Sequence, residues 1–339
     1  MITKVFAYRN RNAPVKLTSI ELSDDLRPHE ILVDTNYAAL NPVDIKLKAI
    51  AVYNSTWTTV RDFGGVVTKV GSAVTRFKVG DSVCGHLNVG AGSRTVLGSI
   101  ARIDTSKNGV MLKPKTFSDA EAAACSLTFG TAYEMIAATH VKQDCSVLVL
   151  GGATSVGRFI IQLLKKHYKV RRVVASCSPK SAPEVLALGA DEVVDYRSNY
   201  RQNLVAAAVS EKFLNIYDCV GGYDALAVSG KLLAPSCQNS TFITVSGDAE
   251  PHGSYSASFL LSTIAVGPRM GFRLLFGRWY GLNYKLILVG HKDWPEKGPQ
   301  IIDENNITVK IGAQFPAEDV QEAFDKLDSV GGGKVVLKF

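Results

Sequence analysis

Paired cysteines are missing from this chain. Its 339 residues hold six, at Cys84, Cys125, Cys145, Cys177, Cys219 and Cys237, with no C-x-x-C pair and no histidine spaced to complete a zinc set. The pattern excludes a disulfide framework and reads as reduced, mostly buried thiols in an intracellular setting. Long apolar runs are missing as well. None approaches the roughly 18 residues of a membrane span, and the nearest, Ala257-Ser-Phe-Leu-Leu-Ser-Thr-Ile-Ala-Val266, is expected to stop at Gly267-Pro-Arg269. The first residues, Met1 to Tyr8, resemble an opening strand and not a signal peptide. A formal net charge of +7 comes without a lysine-arginine run or a nucleic-acid motif, which argues against nucleic acid and leaves anionic ligands or a negatively charged surface as partners.

What is present suits a soluble globular protein with room for two domains: 46% hydrophobic and 20% charged residues. Its most informative stretch is Val147-Leu-Val-Leu-Gly-Gly-Ala-Thr-Ser-Val-Gly157, running into Arg158-Phe-Ile-Ile-Gln-Leu-Leu-Lys-Lys166. A buried strand joins an amphipathic helix through a turn of small residues, as a dinucleotide-phosphate cradle requires. Of the strict G-x-G-x-x-G fingerprint only Gly152 and Gly157 stand, with Thr154 in the middle position. Similar turns occur in α/β proteins that bind nothing.

The next apolar run, Val173 to Ala175, ends about 20 residues beyond the turn, where such domains read the adenosine ribose. An NAD site wants a carboxylate there, and this chain has Ser176-Cys-Ser-Pro-Lys180. Two hydroxyls and a cation fit a 2′-phosphate, so the expected cofactor is NADPH, with Ser176, Ser178 and Lys180 as contacts. The alternative is a capping serine beside a solvated lysine.

Further β-rich runs follow at Asp191 to Tyr196, Phe213 to Gly222, Thr241 to Gly247 and Tyr284 to Val289, with helical stretches at Ala182 to Leu188 and Tyr223 to Leu233 between them. That alternation predicts a doubly wound parallel sheet of the Rossmann type over residues 118–291, opened by a capping box at Ser118-Asp-Ala-Glu121. Residues 1–117 read as short strands and turns, and the pattern returns in Ile307 to Ile311 and Lys334 to Phe339, with a helix from Ala317 to Leu327. The tail, 292–339, is therefore expected to fold back onto the first part. The segment from Met270 to Tyr280 mixes apolar and cationic residues and is open to three readings: membrane-surface patch, subunit contact or substrate wall.

Several stretches resemble the medium-chain dehydrogenase/reductase superfamily, and within it the zinc-free quinone oxidoreductases related to zeta-crystallin. They are Asn41-Pro-Val-Asp44, Asp62-Phe-Gly-Gly-Val-Val67, Val70 to Val83, Leu127-Thr-Phe-Gly-Thr-Ala-Tyr133, the cofactor turn and Gly333-Lys-Val-Val-Leu337. A fungal branch of quinone-oxidoreductase-like proteins, some associated with mitochondria or lipid droplets, is similar over nearly the whole length. The resemblance implies a Rossmann domain inserted in a β-rich GroES-like domain, and NADPH-dependent reduction of quinones, enones or related electrophilic carbonyl compounds. Where zinc-dependent members carry Gly-His-Glu, this chain has Val60-Arg-Asp62, so no metal is expected. Catalysis without one rests on proximity and hydrogen-bond donors.

By the same resemblance Asn41 and Tyr53 are the catalytic candidates. Thr131, Gly152, Thr154, Ser155, Val156, Gly157, Tyr196, Cys219, Val220, Gly221, Val245, Ser246 and Lys334 join Ser176, Ser178 and Lys180 as cofactor contacts. The arginine often found two residues before the late lysine is Gly332 here. A homodimer pairing near Leu286 to Val289 is implied, with a cytoplasmic protein or one peripheral on lipid droplets or mitochondria. Two other functions stay open: a trans-acting enoyl reductase for lipid or polyketide substrates, and a low-turnover NADPH-binding scaffold or sensor at an organelle membrane surface.

Overall fold

The structure, a computed structural model, describes residues 1–49, 51, 55, 57–88, 96–235, 238–247, 257–287, 290 and 293–339, the side chains of 257–266 and 328 excepted. It divides into two compact units, one of Met1–Gly130 with Val289–Phe339 and one of Thr131–Leu288. The division falls inside the helix Asp119–Ala137, whereas the sequence reading put it at that helix's start. The capping box forms there: the Ser118 amide donates to Glu121 Oε2 at 2.9 Å and the Glu121 amide to Ser118 Oγ at 3.3 Å.

The first unit opens with β1 (Ile2–Tyr8), β2 (Lys16–Glu21), β3 (Glu30–Leu40), β4 (Trp57–Thr58), β5 (Asp62–Val70), β6 (Ser82–His86), β7 (Ile100–Asp104) and β8 (Gly109–Leu112). β1 lies between β2 and β4, while β3 pairs with β5 and β7, β5 with β6, and β6 with β8, all antiparallel. Gly65 permits the closest approach in this sheet. A Cβ there would lie 2.1 Å from the Asp34 carbonyl oxygen, beside the register shift between Thr35 and Tyr37.

In the second unit β9 (Ser146–Leu150), β10 (Arg172–Cys177), β11 (Glu192–Asp195), β12 (Asn215–Asp218), β13 (Thr241–Thr244) and β14 (Tyr284–Leu286) form one sheet in the order β11-β10-β9-β12-β13-β14. Every pairing is parallel. This is the doubly wound order, reversing at β9. The unbroken apolar run of β9 is explained by its burial along its whole length, which β12 shares. The helix expected from Tyr223 to Leu233 is two short pieces, Asp224–Ala227 and Ser229–Leu232. The end of the apolar run at Gly267-Pro268 is not the end of a helix, since the helix Ala257–Phe276 runs through it. Proline's fixed φ is helical, so the chain loses a hydrogen bond there without having to turn. At the end of that helix Phe272, Leu275, Trp279 and Tyr280 are exposed, with the Phe272 ring tilted against those of Phe276 and Tyr280 and the Phe276 ring tilted against that of Trp279.

The chain then returns with β15 (Ile311–Pro316) and β16 (Lys334–Lys338). β16 pairs antiparallel with β3 and parallel with β15, extending the first unit's sheet. The strand expected over Ile307 to Ile311 begins only at Ile311, whose partner is Lys334.

The helix Trp294–Glu304 drives its first side chain into this unit. Trp294 is fully buried, stacked on His86 with ring centroids 5.4 Å apart and meeting Phe129 edge-on. Gly109 and Gly130 make room, for a Cβ at either would stand 2.2 or 2.8 Å from the indole. Trp294→Ala should therefore cost about 3–5 kcal/mol of stability in urea unfolding, and Gly109→Ala should also lower the midpoint. An unchanged midpoint for Gly109→Ala would contradict this packing.

Candidate functional site

The turn after β9 is built as a cradle. Gly151 adopts φ +80°, and a Cβ on Gly157 would lie 2.3 Å from the Gly151 carbonyl oxygen, so that the helix Ser155–Gln162 starts against the strand end. Thr154 caps it: its Oγ accepts from the Gly157 amide at 3.1 Å and donates to the Gly151 carbonyl at 2.8 Å. Thr154 thus serves the turn in the place where the strict fingerprint has glycine. Residues 153–156 are half-buried, and the positive end of the helix sits at the mouth of the turn.

Beside it, at the end of β10, Ser176 is buried and its Oγ accepts from the Gly151 amide at 3.0 Å and from the Tyr200 hydroxyl at 3.2 Å. Ser176 therefore ties β10 to the turn. Ser178 is buried with its Oγ 3.1 Å from Ser181 Oγ, whereas Lys180 is exposed. Tyr196, just past β11, is 44% exposed, with the Arg197 guanidinium 6.0 Å over its ring.

On the other side of β9, two side chains that sequence reading passed over organise the strand ends. Asp218 Oδ1 accepts from the Val220 and Gly221 amides at 3.1 and 2.8 Å, and its Oδ2 accepts from Thr244 Oγ1 at 2.8 Å. Thr244 Oγ1 in turn accepts from the Ser246 and Gly247 amides at 3.1 and 3.0 Å. The predicted contacts Cys219, Val220, Gly221, Val245 and Ser246 thus lie in two turns stitched to each other and are half-buried. Burial raises the Cys219 thiol pKa, as does the adjacent Asp218 charge. A polar residue closing each strand just before a glycine turn was the available signal for Asp218 and Thr244. Thr131 is buried in the helix Asp119–Ala137.

The first unit holds a buried polar cluster of its own. Lys334 Nζ donates to Asn41 Oδ1 at 2.5 Å and to Asp62 Oδ2 at 2.8 Å, and Asn41 Nδ2 donates to the same Asp62 oxygen at 3.0 Å. Asp62 Oδ1 accepts from the Leu127 amide. Asn41 and Lys334, predicted separately as catalytic and cofactor residues, are thus brought together through Asp62, which sequence reading did not select. Tyr53 lies outside the described residues.

Asn41 also opens the helix Pro42–Ala49, its amide donating to Asp44 Oδ2 at 2.8 Å. Arg61 reaches the Leu87 carbonyl at 3.0 Å, while its Nε stands 4.0 Å from Asp44 Oδ1, and neither of those two atoms has a hydrogen-bond partner. Burial pushes the Asp44 carboxyl up to about 7, with the Asp62 charge adding to it and the Asn41 amide, Arg61 and Lys334 opposing it. Burial also pushes the neighbouring Tyr8 phenol up to about 12 and lowers the Arg61 pKa. Val60, just before Arg61, is a buried β-branched residue at φ +68°, a strained conformation held by its surroundings.

With this geometry in hand, comparison with known proteins places the chain. Residues 27–126 match the alcohol dehydrogenase GroES-like domain, and residues 188–337 match the zinc-binding dehydrogenase family. Protein YIM1-2 of Lachancea thermotolerans is 30% identical over 354 residues, covering 98% of this chain and 96% of the relative. Protein YIM1 of Saccharomyces cerevisiae is 30% identical over 368 residues, covering 99% and 97%. The chain belongs to the medium-chain dehydrogenase/reductase superfamily. Within it, the chain falls with these fungal relatives. The quinone oxidoreductase of Coxiella burnetii shares the fold with a TM-score of 0.76 at 21% identity over all of both chains. The human synaptic vesicle membrane protein VAT-1 homolog-like protein does so at 0.74 and 18%, over 100% of this chain and 98% of that one. Membership makes the chain an oxidoreductase of a family that uses nicotinamide cofactors.

Two outcomes follow from the buried cluster. Lys334→Met leaves Asp62 charged and uncompensated, and should cost about 3–5 kcal/mol in urea unfolding, much of it restored in Lys334→Met/Asp62→Leu; a loss below about 1 kcal/mol would contradict the pairing. Asp44 is a carboxyl whose folded pKa lies above its unfolded one, so its contribution is fully present below about pH 4 and is lost as pH rises through about 7. Asp44→Asn, which cannot ionise, should gain stability relative to the parent between pH 5 and pH 8, and a relative loss over that range would contradict the raised pKa.

Proposed function

We propose that the chain is an NADPH-dependent oxidoreductase that reduces quinones, enones or related electrophilic carbonyl compounds without a catalytic metal ion. The observation that carries this reading is the cradle at the carboxyl end of β9, where Gly151, Gly152 and Gly157 let the strand end, the turn and the capped helix pack close together, so that the helix N-terminus opens onto the turn. A Cβ on Gly152 would stand 2.8 Å from that of Ala175, and one on Gly157 would strike the backbone. Preference for the phosphorylated cofactor is supported by what closes β10: hydroxyls of Ser178 and Ser181 beside Lys180, with no carboxylate in the run from Ser176 to Lys180.

When bound, NADPH supplies a hydride to the acceptor's electrophilic carbon. The chain's own part is binding and placement. The turn holds the pyrophosphate, Ser178 and Lys180 hold the 2′-phosphate, and the turns at Cys219 to Gly221 and Val245 to Ser246, fixed by Asp218 and Thr244, shape the remaining wall. Asn41 is assigned to steadying the acceptor's oxygen as negative charge develops, because a carboxamide clamped at both ends by Asp62 and Lys334 is a dipole that needs no reorganisation.

A catalytic zinc ion does not fit the corresponding residues. The oxygens of Asn41 and Asp62 already take hydrogen bonds from an ammonium at 2.5 and 2.8 Å, whose charge would repel a divalent cation, and Arg61 adds a second positive charge nearby. Among the described residues no group of three or more histidine, cysteine, aspartate or glutamate side chains is placed to hold a metal.

Titration of the purified protein should give NADPH affinity at least about tenfold above that for NADH. NADPH should be oxidised in the presence of quinones or enones, at a rate insensitive to a zinc chelator, and Gly157→Val should abolish binding of both dinucleotides. Binding of neither, or preference for NADH, would overturn the reading.

A further inference from the structure

Arg158 is the first residue after the cradle, and nothing in the function above uses it. Its side chain is buried, 7% exposed, and it forms an ion pair through Nη2 with Glu184 of the helix Ala182–Ala187. Its Nη1 is buried with no hydrogen-bond partner. A buried charged donor left without an acceptor is costly, so the arrangement is incomplete as it stands.

Position decides where the missing acceptor belongs. Arg158 is the fourth residue of the helix Ser155–Gln162, and helical side chains lean toward the N-terminus, which carries this guanidinium toward the mouth of the phosphate turn. Glu184 is the third residue of its own helix, which starts directly after the 3-10 turn Pro179–Ser181 that carries Lys180. The Ser178 and Ser181 hydroxyls stand 3.1 Å apart just ahead of it. The ion pair with Glu184 therefore sets the Arg158 guanidinium beside the helix that directly follows the Ser178 to Ser181 turn at the end of β10.

We propose that Arg158 is a second cation for the adenosine 2′-phosphate and that Glu184 holds it in reserve, so this ion pair sets how strongly the chain prefers the phosphorylated cofactor. The proposal rests on the NADPH reading above. A guanidinium has five N–H groups and can keep Glu184 on Nη2 while Nη1 meets a phosphate oxygen. The phosphate brings close to two negative charges. Glu184 opposes that charge, so the empty site stays paired and the filled site gains a contact at the expense of nearby repulsion.

The test is calorimetric titration of the full chain with adenosine 2′,5′-bisphosphate and, separately, with AMP. Arg158→Met should weaken the bisphosphate about tenfold or more and leave AMP within about twofold, while Glu184→Gln should strengthen the bisphosphate several-fold and leave AMP unchanged. If Arg158→Met does not fold, Glu184→Gln decides alone: unchanged bisphosphate affinity overturns the proposal. Equal effects on both ligands, or none on either, overturn it while leaving the NADPH reading in place. A parent protein that binds neither ligand, or binds the bisphosphate no better than AMP, overturns both.

Discussion

The ammonium of Lys334, lodged between the Asn41 carboxamide and the Asp62 carboxylate, is the contact on which the first unit depends. The two partners stand 293 and 272 residues away in the chain, because the whole second unit lies between β8 and β15. Hydrophobic strands alone would leave the returning β16 free to slip along β3, since Val335, Val336 and Leu337 are all buried and alike. A slip of one residue would strip the buried Lys334 ammonium of both partners and leave the Asp62 charge uncompensated, so the pair fixes the register.

The second unit solves a different problem with the same economy. Its parallel sheet must end in turns that leave room for a ligand, and those turns carry polar backbone that has to be satisfied from within. Thr154, Ser176, Asp218 and Thr244 do this with hydroxyls and a carboxylate bonded to turn amides. The turns on both sides of β9 thereby have amides bonded from within, an arrangement that lowers the ordering cost of binding a ligand there.

Much of this was legible in the residues. Apolar runs marked β9 and β10, short β-rich runs marked β12 and β13, the capping box at Ser118 to Glu121 marked a helix start, and glycines marked the cradle. What escaped was whatever a distant partner decides. Ile307 to Ile311 alternates as a strand should, yet β15 starts at Ile311 because the ladder offered by β16 begins at Lys334. Gly267-Pro268 ends the apolar run, yet the helix continues through it. Asn41 and Lys334 were selected as separate candidates and not as neighbours, and the bonds that tie them to Asp62, and Thr244 to Asp218, became visible only once strand ends were set side by side. Charge pairing across hundreds of residues leaves no local periodicity to read.

The account turns on a dinucleotide lying along the carboxyl edge of the six-stranded sheet. The most direct measurement is amide hydrogen exchange of the full chain with and without saturating NADPH. The account predicts slowed exchange in the peptides covering 151–158, 176–181 and 219–222 together, with the far ends of the same strands unchanged. Protection confined to other segments, or none in the presence of bound NADPH, would contradict it.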